Sequence, residues 1–159
     1  MGKPPPGYDP MKPRFYIDKE GNWYNDGLPV LHRRTYLANQ KNLRRDEEGR
    51  YYVHEGKFKV FAVVEDTPFV VRAVIERDHK LYVALNDETE EPLDFTSLEL
   101  SEENVPYITV KGGEFESRFT RPAYYELTKY LKEEGGSFFI EYGGERHPIR
   151  RRHPKQDTT

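Results

Sequence analysis

Residues 49–56 read GRYYVHEG and residues 136–143 read GSFFIEYG: glycine, one spacer, two aromatics, a β-branched residue, two further residues and a closing glycine, written twice in one chain. Aromatic and β-branched residues bounded by glycine are the mark of a half-buried strand that ends in a tight turn. Working outward from each copy, the chain repeats the order hairpin, short helix, hairpin.

In the first half, residues 15–31 (FYIDKEGNWYNDGLPVL) predict short strands broken at Glu20-Gly21 and at Asn25-Asp26-Gly27. RRTYLANQKNL, residues 33–43, has helical spacing with no Gly or Pro, and the first echo then opens a hairpin turning near Glu55-Gly56-Lys57. Two further strands follow in residues 68–87, with a turn over residues 77–80. In the second half, PYITVKGGEFESRF predicts a hairpin at Gly112-Gly113 and GSFFIEYGGERHPIR another at Gly143-Gly144. Between them RPAYYELTKYLKEE, residues 121–134, predicts a helix with Thr120 as N-cap and Pro122 in its first turn, where proline is tolerated.

The expected fold is therefore α+β, a duplicated motif of antiparallel hairpins plus a short helix in two tightly packed lobes. Its expected divisions are a disordered proline-rich tail (1–14), an N-terminal lobe with a central β meander (15–85), an acidic surface connector (86–104), a C-terminal lobe (105–149) and a loose basic tail (150–159). Every charged residue of 86–104 is acidic.

Composition excludes several functions. The 159 residues contain no cysteine, so disulfides, thiol catalysis and cysteine-ligated zinc are ruled out. No apolar run approaches a membrane span of about 20 residues, and the amino terminus lacks a signal-like apolar stretch, so a cytoplasmic location is expected. A net charge of −3 disfavours general nucleic-acid binding, which rests on a surplus of Lys and Arg. Twelve Tyr and nine Phe predict an aromatic-rich core.

Candidate chemistry is sparse. Glu65 and Asp66 end an apolar strand in VEDTPF, but adjacent strand residues face opposite ways, and a turn built by Asp66 before Pro68 is the plainer account. The five histidines lack metal-ligand spacing. His32 stands apart because it precedes the first helix beside Arg33 and Arg34, where unpaired N–H groups attract anions. Arg118 and Arg121 flank Thr120 at the second helix start, a grouping suited to phosphate or carboxylate, or else to salt bridges with the acidic connector. Arg44, Arg45, Arg50, Lys57 and Lys59, interleaved with Tyr51 and Phe58, suit the stacking of single-stranded bases, but Asp46, Glu47, Glu48 and Glu55 weaken that field and an exposed, solvated face is the plainer account.

The order GNWYNDGLPVL, RRDEEGRYYV, VEDTPFVVRAV, LNDETEEPLD, ESRFTRPAYYEL resembles the bacterial domain of unknown function 1285 family over residues 15–149, departing from it at HEGKFKVF. The resemblance implies a duplicated α+β fold whose C-terminal lobe is similar to pleckstrin-homology-like domains, no established activity, a nucleotide-like ligand between the lobes and a part in signal transduction. The matching positions are Trp23, Gly27, Pro29, Gly49, Tyr51, Glu65, Asp66, Pro68, Phe69, Arg118, Phe119, Arg121, Pro122 and Tyr124.

These observations together favour a non-enzymatic binding module without cofactor or metal. Arg118 and Arg121 would hold an anionic ligand, Tyr124 or Phe69 would stack on its base, and Glu65 or Asp66 would accept its hydrogen bonds. A hydrolase with His32 as base and Asp66 as orienter is one alternative. A protein-interaction domain using a strand edge or aromatic patch is another, and the oligomeric state stays open.

Overall fold

The computed structural model describes Asp9 and residues 12–152. Most of the proline-rich tail and residues 153–159 of the basic tail, His153 included, lie outside the described residues. The chain divides into two compact units, Met1–Pro68 and Phe69–Thr159.

The first unit runs β1 (Phe15–Ile17), β2 (Trp23–Asn25), β3 (Leu28–Pro29), α1 (Arg33–Lys41), β4 (Arg44–Arg45), β5 (Tyr51–Glu55) and β6 (Phe58–Val64). Its strands form one sheet in the order β3-β2-β1-β6-β5-β4. The β1–β6 pair is parallel and the remaining pairs are antiparallel. Alternation sends Phe15, Ile17, Trp23, Val53, Val60 and Ala62 to one face, where they form the core with Leu43. The Phe15 and Trp23 rings meet edge-on with centroids 5.5 Å apart. Burying each large apolar side chain contributes about 1.5–3 kcal/mol. Helix α1 stops at Lys41 because Asn42 folds its amide back onto the Ala38 carbonyl at 2.8 Å and Leu43 turns into the core.

The second unit contains β7 (Phe69–Arg77), β8 (Lys80–Leu85), β9 (Glu90–Pro92), a 3-10 turn (Phe95–Ser97), β10 (Glu99–Leu100), β11 (Pro106–Val110), β12 (Phe115–Phe119), α2 (Arg121–Thr128), β13 (Leu131–Glu134), β14 (Ser137–Tyr142), β15 (Glu145–Pro148) and β16 (Arg150–Arg151). Seven strands form one sheet, β16-β10-β11-β12-β7-β8-β9, and β13-β14-β15 form a smaller one. Strand β7 pairs parallel with β12 and antiparallel with β8. Within this unit the Phe95 ring stacks on His147 at 3.9 Å, and Tyr142 donates to Glu76 at 2.7 Å.

The expected hairpin turns form at Asp26-Gly27, Gly56-Lys57, Gly112-Gly113 and Gly143-Gly144. Four expectations need correction. The chain divides after Pro68, not in the acidic segment: proline has no N–H for a ladder, and β7 takes its parallel partner from β12. The acidic segment is not a surface connector, since it supplies β9 and β10 and buries Leu93, Leu98 and Leu100.

The helix expected over residues 121–134 stops at Thr128. Leu131–Glu134 instead pairs with Ser137–Tyr142 through the Gly135-Gly136 turn, with Leu131 opposite buried Ile140, so strand pairing overrides a weak helical preference. Residues 150–152 are not loose: Arg150–Arg151 pair with β10, and Arg151 donates to Asn104 Oδ1 at 2.8 Å.

The two echoed stretches occupy like places. Each supplies the middle strand of a three-stranded meander that follows a short helix, β4-β5-β6 after α1 and β13-β14-β15 after α2. Val53 and Ile140, aligned in the echo, are both buried. No helix among the described residues is long and apolar enough to cross a membrane.

Candidate functional site

In the second unit the β11–β12 register sets Tyr107 opposite Arg118. Arg118 Nη1 donates to the Tyr107 hydroxyl at 3.3 Å. Strand β16 then carries the chain to Arg152, whose backbone N–H donates to the Leu100 carbonyl at 2.7 Å and whose guanidinium lies 4.1 Å from the centroid of the same tyrosine ring. Arg152 Nη2 donates to Glu116 Oε2 at 2.7 Å. Its Nη1 is buried and has no acceptor among the described residues. Burial works against the charge of Arg152, but the Glu116 carboxylate outweighs it and raises the pKa of the guanidinium. Two guanidinium groups thus meet at one tyrosine with a buried donor unused, an arrangement that can accept an anionic oxygen.

The neighbouring corner, where β12 leads into α2, is partly committed to structure. The Thr120 hydroxyl donates to the Val71 carbonyl at 3.0 Å and accepts from Ala123 N–H at 3.4 Å, so it caps the helix. Arg121 is exposed on the first turn and Tyr124 is half-buried one turn on. Phe69 does not offer the stacking surface expected of it: it is 3% exposed, its ring packs on Phe115 at 5.2 Å, and Lys111 Nζ lies 5.4 Å from it.

The remaining candidates belong to the first unit. Glu65 is exposed and accepts from Lys19 N–H at 3.3 Å. Partial desolvation and the Glu65 carboxylate both raise the pKa of Tyr16. Asp66 is half-buried. His32 stands just before α1 but forms no side-chain cap, its Nδ1 lying 3.5 Å from Thr35 Oγ1.

Of the predicted residues, Arg118 enters a cluster with side chains the sequence did not single out, Tyr107 and Arg152. The only local signal for Arg152 was the run Arg150-Arg151-Arg152, and only strand register brings it to Tyr107. Among the described residues, no group of three or more His, Asp or Glu side chains is placed to hold a metal ion.

No protein-family model matches the chain, and no curated protein matches it in sequence. Among solved structures, the chain is similar to a DUF1285 family protein from Silicibacter pomeroyi DSS-3, with a TM-score of 0.68 and 22% identity, over 87% of this chain and 80% of that one. It is also similar to a DUF1285 family protein from Shewanella baltica OS155, with a TM-score of 0.63 and 19% identity, over 76% of this chain and 94% of that one. The chain has a DUF1285-like fold, as the order of its sequence motifs implied.

Proposed function

We propose that this protein is a non-enzymatic cytoplasmic module that binds an anionic, nucleotide-like ligand through Arg118 and Arg152, in a role suited to signal transduction. The observation that carries the proposal is the buried Nη1 of Arg152, without an acceptor among the described residues, at the tyrosine that a second guanidinium also contacts. A buried donor without a partner costs about 1–3 kcal/mol, and a phosphate oxygen would recover it while matching the planar fork of arginine. Arg121 and Tyr124 on the adjoining helix would extend contact toward the rest of the ligand.

The test is a melting-temperature screen of the full chain against pyrophosphate and nucleoside di- and triphosphates. Ligand at a hundred times its Kd contributes about 2.7 kcal/mol, or roughly 5–10 °C for a chain of this size. Arg118→Ala and Arg152→Lys are expected to abolish the rise while the proteins stay folded, and a rise that survives both substitutions defeats the assignment. A protein-interaction role is the alternative, favoured by Leu28 on edge strand β3 and Leu31 just after it, which are 71% and 85% exposed. Self-association that disappears in Leu28→Glu would favour it.

A further inference from the structure

The face of the first sheet opposite its core carries a row of rings. Register sets Tyr24 against Tyr16, Tyr16 against Val63, and Tyr52 against Phe61, and residues paired across strands share one face. Their chain neighbours point into the core, so alternation sends these five outward. Tyr16 and Val63 are 38% and 45% exposed. The Tyr16–Tyr24 and Tyr52–Phe61 ring centroids are each 6.1 Å apart. The row crosses four adjacent strands, β2-β1-β6-β5. At about 4.8 Å between strands it spans ~14 Å.

Its two ends differ in charge. At the β5–β4 end, Arg50 lies 4.5 Å from the Phe61 centroid and Lys59 Nζ 4.6 Å from that of Tyr52, with Arg44 opposite Tyr52 in register. Arg50 is held by Asp46 at 2.9 Å and Glu48 at 3.4 Å. Arg44 instead donates to the Lys41 and Leu43 carbonyls, which are uncharged acceptors. A cleft of about 290 Å³ opens beside Arg50, bordered by Pro13, Tyr51, Phe61 and Val63. At the β2 end, Asp18 Oδ2 accepts from the Tyr24 hydroxyl at 3.3 Å, and Glu65 adjoins Tyr16.

The chain's net charge of −3 hides an uneven division. Residues 12–68 hold eleven Lys and Arg against nine Asp and Glu, a net of +2, whereas residues 69–152 hold twelve against seventeen, a net of −5. The composition that disfavours nucleic acid for the whole chain therefore does not describe the first unit.

We propose that this face binds single-stranded nucleic acid. Unpaired bases stack on Tyr16, Phe61 and Tyr52, because every base has a π-face and aromatic side chains accept it regardless of sequence. Phosphates lie toward Lys59 and Arg44, and the exposed Glu65 carboxylate accepts from exocyclic amino groups of bases. Duplex hides its base faces and gains nothing from the row. The site lies in a different unit from Arg118 and Arg152 and uses none of their contacts.

The test is fluorescence anisotropy of the full chain with labelled single-stranded DNA and RNA octamers and the matching duplexes, at 50 and 200 mM salt. Single strands are expected to bind saturably and duplex at least tenfold more weakly. Tyr16→Ser and Phe61→Ala are each expected to weaken binding about tenfold. Val63→Glu, at a solvent position, is expected to do the same with an unchanged circular dichroism spectrum. Lys59→Ala is expected to flatten the dependence of log K on log salt by about 0.7.

Arg152→Lys should leave oligonucleotide binding intact, and Tyr16→Ser should leave the pyrophosphate response intact, so each site stands or falls separately. A preference for DNA or for RNA supports the proposal and names the strand. Equal duplex binding overturns it, as does an absence of saturable binding at 50 mM salt, or affinity indifferent to both Tyr16→Ser and Val63→Glu.

Discussion

Trp23 Nε1 donates to Gln40 Oε1 at 2.7 Å, and Gln40 Nε2 donates onward to the Pro68 carbonyl at 2.8 Å. Trp23 and Gln40 are each 1% exposed. The relay joins β2, α1 and the VEDTPF segment through one buried amide, which gives Trp23 and Gln40 a common structural reason to be present.

Gln40→Met keeps the volume but strands the indole N–H and the proline carbonyl. Each unsatisfied buried group costs about 1–3 kcal/mol, so the substitution is expected to destabilise the first unit by about 2–6 kcal/mol. Urea denaturation followed by Trp23 fluorescence measures this directly; an unchanged midpoint would show that the relay contributes nothing net.

Asp87 supplies a pH dependence. Burial pushes its carboxyl up, but the Lys111 ammonium at 2.7 Å and the hydroxyl and N–H of Thr89 outweigh it and hold the group below the usual carboxylate range. A carboxylate depressed in the folded state stabilises above its unfolded pKa and loses that contribution as pH falls through the folded value. Asp87→Asn is therefore expected to cost about 2 kcal/mol at pH 7, the worth of a charged hydrogen bond. The gap to wild type should begin to narrow near pH 4 and close at lower pH. A gap that is constant from pH 7 to pH 3 would contradict the assignment.

Gly49 and Gly136, which open the two echoes, have φ of +83° and +84°. A side chain at such angles costs about 1–2 kcal/mol. An added Cβ would meet nothing within 4 Å at either position, so the strain is conformational alone. Gly49→Ala and Gly136→Ala are each expected to lower unfolding free energy by about 1 kcal/mol, and loss at only one site would break the parallel between the meanders.

Glu116 competes with any anion for Arg152, since it accepts from Nη2 at 2.7 Å. Glu116→Gln keeps the shape and removes the charge. Pyrophosphate affinity, read by calorimetry, is expected to rise at least about threefold, as nearby like charge disfavours a second anion. Weaker binding would place the anion away from Arg152.

The residues of each hairpin carried their own turns. Asp26-Gly27, Gly56-Lys57, Gly112-Gly113 and Gly143-Gly144 were legible because a turn depends on the backbone freedom of a few adjacent residues. The α+β class, the two helix starts and the Thr120 cap were legible for the same reason, and the order of motifs pointed to the DUF1285-like fold that the solved structures share.

What the sequence did not disclose is which strand pairs with which. Leu131–Glu134 has a helical composition but becomes a strand because Ile140 and its neighbours lie across a glycine turn. The acidic segment looks like a connector until Leu93, Leu98 and Leu100 find a core to enter. Arg152 reaches Tyr107 only because β16 pairs with β10 and β10 with β11, and the aromatic row gathers because β1 pairs parallel with β6. Local chemistry by itself determined turns, caps and the alternation of faces. Partners distant in the chain, chosen by burial and ladder pairing over the whole fold, decided which faces close into cores and which side chains stand together.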